Sequence, residues 1–298
     1  MTGDFYGLPT RIISNQYLRL EFLAQAGPRI VRLMLAGSDE NQFAEVPDIR
    51  WVTPYGDYYM RGGHRLWHSP EASPRSSIPD NDRLMIEEGD NGVRLSQPSD
   101  AHTRIGKSIE IRLHDDRPAV TVCHELTNDG MWPVELAPWA ITQLALGGFA
   151  VLPQRVEPME RDGVTPNRHL VLWPYTHWHD PRLHLGDEYV LVEALAEPSI
   201  VKVGYMNPHG WIGYLRKDVL FVKRFPVQAD QAHPDMGCNA EAYCNDRFIE
   251  LETLAPLCRL EPGRSVTHVE TWELYTSLRR CQTPEEVLGV IKEIDALR

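Results

Sequence analysis

The sequence predicts an all-β protein, a large twisted antiparallel sandwich with a short helix at its C-terminal end. A dozen segments combine period-two alternation or β-branched and aromatic enrichment with Gly, Pro, Asn or Asp at their boundaries. The chain has 298 residues, 42% of them hydrophobic, which is enough to bury a large core. So many strands in one chain need stacking or closure, and neither a repeat, a low-complexity tract nor a linker divides them. A single domain over 1–298 follows.

In chain order, "YLRLEFLAQ" and "RIVRLML" open the strand series. The stretch from about 51 to 83, "WVTPYGDYYMRGGHRLWHSPEASPRSSIPDNDR", has few strand signals and many Gly, Pro, aromatic and His residues, and is expected to be a long site-lining loop. Strands resume with "SIEIRLH", "AVTVCHEL" and "PVELAPWAITQLAL", then "HLVLWP", "EYVLVEAL", "SIVKVGY", "WIGYL" and "VLFVKRF". A strand with its entry turn is read in "HPDMGCNAEAYCND", followed by "FIELETL" and "VTHVETWELY". Last, "TPEEVLGVIKEIDALR" sets Thr283 as N-cap, Pro284 at the first helical position and Glu286 in a capping box. Val287, Ile291, Ile294 and Leu297 share one face, so an amphipathic helix over about 283–297 should pack on the sheet.

The formal net charge of -12 argues against nucleic acid and anionic membranes as partners and suits a small, neutral or weakly charged ligand. The N-terminus lacks a basic start followed by an apolar run, and no segment has the roughly 18 uninterrupted apolar residues of a membrane span, so a cytoplasmic location is expected. Five cysteines without CxxC spacing imply free thiols rather than a disulfide framework or zinc ribbon. No G-x-S-x-G, HExxH, Walker A or dinucleotide-binding glycine motif occurs, and no cofactor is implied. Nothing in the sequence sets the oligomeric state.

Glu250 and Glu252 stand two apart in a strand, so alternation sends both carboxylates to one face while Ile249 and Leu251 face the core. Either that face is solvated or it lines a cleft with a general base. "GGHRLW" brings His64, Arg65 and Trp67 together after two flexible glycines, a set suited to a polyol, with the indole stacking and the polar groups bonding hydroxyls. The alternative is a loop whose Trp plugs the core. His177 and His179 in "WPYTHWHD" would point the same way on extended backbone, a possible metal pair if a third ligand arrives. Lys223 is a further polar candidate, and Asn239, Glu241 and Tyr243 share one parity in their strand.

The run "LETLAPLCRLEPGRSVTHVETWEL" resembles the closing strands of the galactose mutarotase-like superfamily, the aldose 1-epimerases and their relatives. Leu251-Glu252-Thr253 matches the family's first segment, Pro262-Gly263 its turn and Val266 to Tyr275 its last strand. With "GGHRLW", "ELETLAPL" and "HVETWEL", the chain looks most like the DUF4380 branch. The resemblance implies a β-supersandwich with a sugar cleft on a concave sheet face, and places Glu252 as the base that takes the anomeric hydroxyl's proton. Where the family has an Asn-His pair supplying the acid, this sequence has Pro138-Trp139. The acid must then come from elsewhere, with His64 first and His177 or His179 second. Arg65, Trp67, Lys223, Asn239, Glu241 and Glu250 are expected to bind or orient the sugar. Three readings stand: aldose 1-epimerase-like catalysis, carbohydrate binding without catalysis, and a metal-dependent site built on His177 and His179.

Overall fold

The computed structural model describes residues 1–89, 92–294 and 297. Two antiparallel sheets dominate. Ten strands of the larger run in the order Thr2–Phe5, Leu8–Ser14, Leu18–Leu23, Arg29–Leu35, Gly56–Ser69, Val134–Leu144, Ile249–Leu254, Ala240–Cys244, Val201–Tyr205 and Val171–Leu172. Two more join its flank: Glu45–Thr53 beside Gly56–Ser69, and Cys258–Leu260 beside Val134–Leu144. The second sheet places Ser265–Tyr275 centrally, between Val219–Arg224 and Ala119–Asn128. Side chains from both sheets, among them Leu20, Leu33, Leu251, Val120, Val122, Phe221 and Trp272, form one buried apolar cluster between them. No helix among the described residues is long and apolar enough to cross a membrane.

The C-terminal helix spans Pro284–Glu293, with the Glu286 N–H donating to the Thr283 side chain. Val287, Val290 and Ile291 are buried against Phe149, Val151, Trp211 and Val222, so the helix covers the outer face of the second sheet. The part of the expected helix at residues 295 and 296 lies outside the described residues.

The region 51–83 departs from the expected long loop. Residues 51–53 end the strand Glu45–Thr53 and the fourteen-residue strand Gly56–Ser69 follows, so the irregular part is chiefly residues 70–83. The glycines of "GGHRLW" bend that strand rather than end it. Gly62 and Gly63 have φ of 96° and 69°, and a Cβ on either would sit 2.0 Å from a backbone oxygen of Ala44 or Ile30. One half of the strand therefore pairs with Glu45–Thr53 and the other with Val134–Leu144.

Between the sheets lies a polar core that hydrophobic patterning does not foreshadow. The Lys223 ammonium is fully buried and reaches Glu270 Oε1 at 2.9 Å, Ala140 O at 3.1 Å and Leu251 O at 3.1 Å, which satisfies its three donors. Glu270 also accepts from Trp272 Nε1 at 2.7 Å and from the Thr253 hydroxyl. Burial opposes the Glu270 charge, but Lys223 and the neighbouring groups bring its pKa down to about 2. His124 Nδ1 donates to His268 O at 2.8 Å, so in a neutral ring its Nε2 accepts from His64 Nε2–H at 2.7 Å. His64 Nδ1 then accepts from the Thr142 hydroxyl at 2.8 Å. One set of neutral tautomers closes the chain.

Burial lowers the pKa of His64, His124 and His268, the last to about 3. In the unfolded chain these rings take up protons as pH falls through about 6.5, while the folded rings do not. The unfolded state then binds more protons, so stability should fall from about pH 6.5 downward by about 1.4 kcal/mol per pH unit for each neutral ring. Urea denaturation between pH 7.5 and pH 5 measures this, and an unfolding free energy that is flat across the window contradicts it.

Candidate active site on the larger sheet

Strand alternation and register assemble the site. On the larger sheet, Ile141 lies opposite both Arg65 and Glu252, and Trp139 opposite Trp67 and Leu254. Glu241 pairs with Glu252, Tyr243 with Glu250, and Lys202 with Tyr243. These residues share the face turned away from the second sheet. Ile249, Leu251 and Thr253 point inward instead, two into the apolar core and Thr253 to His268 and Glu270. Irregular segments cover the outward face and leave a cleft of about 410 Å³ lined by Glu71, Ala72, Ser73, Trp139, Trp173, Lys202 and Asp235. A slightly larger hollow of about 450 Å³ lies at a strand edge near Met1, Arg11 and Asn15, with no comparable cluster of buried ionisable groups.

Lys202 is the centre of the cleft. Its Nζ lies 2.8 Å from Glu241 Oε2 and 2.9 Å from Glu252 Oε2. The same ammonium sits 4.5 Å from the Trp173 ring centroid and 5.0 Å from that of Trp139, within cation–π range of both. Trp139 Nε1 donates to Glu252 Oε2 at 2.7 Å. Glu252 Oε1 is fully buried and meets no N–H donor among the described residues, while its carboxyl shares a hydrogen bond with Glu241. Gly204, opposite Glu241, makes the packing possible: a Cβ there would stand 3.1 Å from Glu241 Cγ and 3.2 Å from the Trp173 ring.

One cation serves two buried carboxylates, and the pair divides unequally. Burial raises both, but the Lys202 ammonium and the Trp139 N–H hold Glu252 below the usual carboxylate range. Glu241 is pushed well above that range by burial, with the Glu252 and Asp235 charges adding to it against Lys202. Glu252 is therefore the more acidic member of the pair, and Glu241 the one that holds its proton to higher pH. Burial also raises Glu71 and Asp235 at the cleft mouth. The backbone there is strained, since Asp235 and Met236 hold φ of 51° and 62° before Gly237 at 95°.

The sequence-derived candidates separate into groups. Glu252, Glu241, Glu250, Arg65 and Trp67 lie on the cleft side of the sheet. Arg65 is spent on Glu250 at 3.0 Å and stacks 4.5 Å from Trp67, which itself packs on Trp139 and Tyr58. His64 and Lys223 lie on the opposite face, fully buried between the sheets, so the structure does not bring either to Glu252. The bend at Gly62 and Gly63 and the alternation after it fix that parity. Asn239 is also buried, accepting from Asn207 N at 2.6 Å and donating to Asn207 O at 3.0 Å, which braces a turn. His177 and His179 are exposed in a turn-rich segment rather than on extended backbone. The three-residue group with metal-ligand spacing among the described residues is His64, His124 and Glu270 in the inter-sheet network.

Lys202 and Trp173 were missed by sequence reasoning. The available signal was a single charge in "SIVKVGY", flanked by Val201 and Val203 in an apolar strand. Such a lysine needs a buried counter-charge.

No protein-family model and no curated protein sequence matches the chain. Solved structures do. A candidate aldose 1-epimerase from Klebsiella pneumoniae aligns with a TM-score of 0.61 over 100% of this chain and 86% of its own, at 11% identity. A candidate aldose 1-epimerase from Escherichia coli K12 gives 0.54 over 90% and 99%, at 14% identity. A galactose mutarotase-like protein from Lactobacillus casei gives 0.56 over 89% and 100%, at 11% identity. The fold is thus galactose mutarotase-like.

Replacing Lys202 with Met should leave Glu241 and Glu252 facing each other without a cation, at a cost of about 3 kcal/mol or more at pH 7. The deficit relative to the wild type should shrink at pH 5, because carboxylates raised in the folded state gain stability as protons are supplied. Denaturation of both proteins at the two pH values tests this; a deficit independent of pH would exclude the shared-charge arrangement.

Proposed function

We propose that this protein acts on a carbohydrate by acid/base chemistry at the anomeric carbon, in the manner of an aldose 1-epimerase. The observation that carries the reading is the pair Glu241 and Glu252, neighbours across two strands, touching one ammonium and with pKa values shifted in opposite directions. Separated pKa values in adjacent carboxyl groups are what acid and base assignments require. The mutarotase-like fold of the neighbours supports the same class of substrate.

In this reading Glu252 takes the proton from the anomeric hydroxyl while the Glu241 carboxyl donates its proton to the ring oxygen. The electron pair released from the O–H bond forms the carbonyl, and the bond between anomeric carbon and ring oxygen breaks. Rotation about the adjacent carbon–carbon bond presents the other carbonyl face. Return of both protons then closes the ring as the other anomer, with both carboxyl groups restored. Trp139 and Trp173 supply aromatic faces for the sugar, and Lys202 holds the charge difference between the two glutamates.

A second reading, sugar binding without turnover, is favoured by Trp139: the residue at the family acid's place donates its only N–H to Glu252. Anomeric exchange by NMR on a panel of sugars separates the two. Catalysis predicts exchange that Glu252→Gln abolishes and that Glu241→Gln slows by about 10²-fold or more. Its rate should fall in acid as Glu252 gains a proton and in alkali as Glu241 loses one, a bell whose limbs belong to the pair. Binding with no exchange in the wild type establishes the second reading, and exchange undiminished in Glu252→Gln overturns the first.

A further inference from the structure

The cleft's charge balance points to a narrower ligand. Two carboxyl groups, those of Glu71 and Asp235, line the cleft, and Lys202, which lines it too, is held from behind by the buried Glu241 and Glu252. Arg65 is paired with Glu250 and acts on Glu71 only at longer range. Glu252 Oε1 and Glu241 Oε1 are buried and meet no N–H donor among the described residues, the two carboxyl groups bonding each other instead. Trp139 and Trp173 already accommodate one ammonium, that of Lys202. A protonated amine in the cleft would pair with Glu71 and Asp235, and the aromatic walls favour it further. A carboxylate or phosphate on the sugar would meet Glu71 and Asp235 at the entrance, and among the described residues the lining cation, Lys202, is already shared.

Resting on the carbohydrate reading above, we infer that the cleft selects a sugar bearing a protonated amine and rejects acidic or phosphorylated sugars, with Glu71 and Asp235 as the discriminating residues. Every cation contacting the buried pair is already shared, so the ligand's own charge decides the ranking. The raised pKa values of Glu71 and Asp235 add a pH signature. Affinity for the amine should increase as these groups ionise and decline again where the amine loses its proton. Of the groups in and behind this space, Lys202 is raised, against burial, above its ordinary value by Glu241 and Glu252, Glu252 is lowered and Glu241 is raised well above the carboxylate range.

Isothermal titration with glucosamine, glucose and glucuronate tests the inference, using the wild type and the Glu71→Gln, Asp235→Asn double variant, whose folding is checked by thermal melting. The wild type should bind glucosamine about tenfold or more tightly than glucose, with no measurable glucuronate binding. In the double variant the ratio of glucosamine to glucose affinity should collapse toward one. Equal affinities for glucosamine and glucose in the wild type, or tighter binding of glucuronate, overturn the charge selection while leaving a sugar cleft in place. A preference that survives in the folded double variant overturns the assignment to Glu71 and Asp235. If none of the three sugars binds, the carbohydrate reading itself fails with it. Should the double variant not fold, the single variant Glu71→Gln carries the test, with a partial loss of the ratio expected and an unchanged ratio contradicting it.

Discussion

Lys202 has one charge to share between two buried glutamates, and the chemistry available to the cleft follows from that shortage. An ammonium at 2.8 and 2.9 Å from Glu241 and Glu252 can keep one of them ionised in a desolvated setting. The Lys202 and Glu241 hydrogen bonds and the Trp139 N–H favour charge on Glu252, while burial and the Glu252 and Asp235 charges favour the proton on Glu241.

The arrangement needs a rigid floor, and the second buried lysine supplies it. Lys223 rises from the second sheet and binds the carbonyl oxygens of Ala140 and Leu251, the neighbours of Trp139 and Glu252. Thr253, on the other side of Glu252, is held by His268 and Glu270. The residues on both sides of the proposed base are thus tied to the opposite sheet, Leu251 by its carbonyl oxygen and Thr253 by its hydroxyl, through hydrogen bonds that tolerate little displacement. Polar groups between the sheets would act as positioning residues for the proposed reacting groups on the outer face.

Much of the fold was legible because period-two alternation and turn residues are local signals. "RIVRLML" forms Arg29–Leu35 as read, whereas "HLVLWP" contributes only Val171–Leu172 and the following His177 and His179 sit in turns. The parity of Glu250 and Glu252 was likewise local and sufficient. His64 was not placeable from sequence, since its face depends on a strand that bends at Gly62 and Gly63 without ending. Lys223 was visible as a strand residue, but which face of its strand meets the other sheet is a tertiary fact. Lys202 escaped because its partners, Glu241 and Glu252, are about forty and fifty residues away in sequence and are joined to it only by cross-strand register.

The division of protons between Glu241 and Glu252 can be observed without any substrate. Carbon-13 NMR of side-chain carboxyl groups in glutamate-labelled protein, assigned with the single Gln variants, reports each group's protonation across pH. The account predicts that at pH 7 Glu252 has the shift of a carboxylate and Glu241 that of a carboxylic acid. Two glutamates both ionised at pH 7, titrating together in the ordinary carboxylate range, would contradict it.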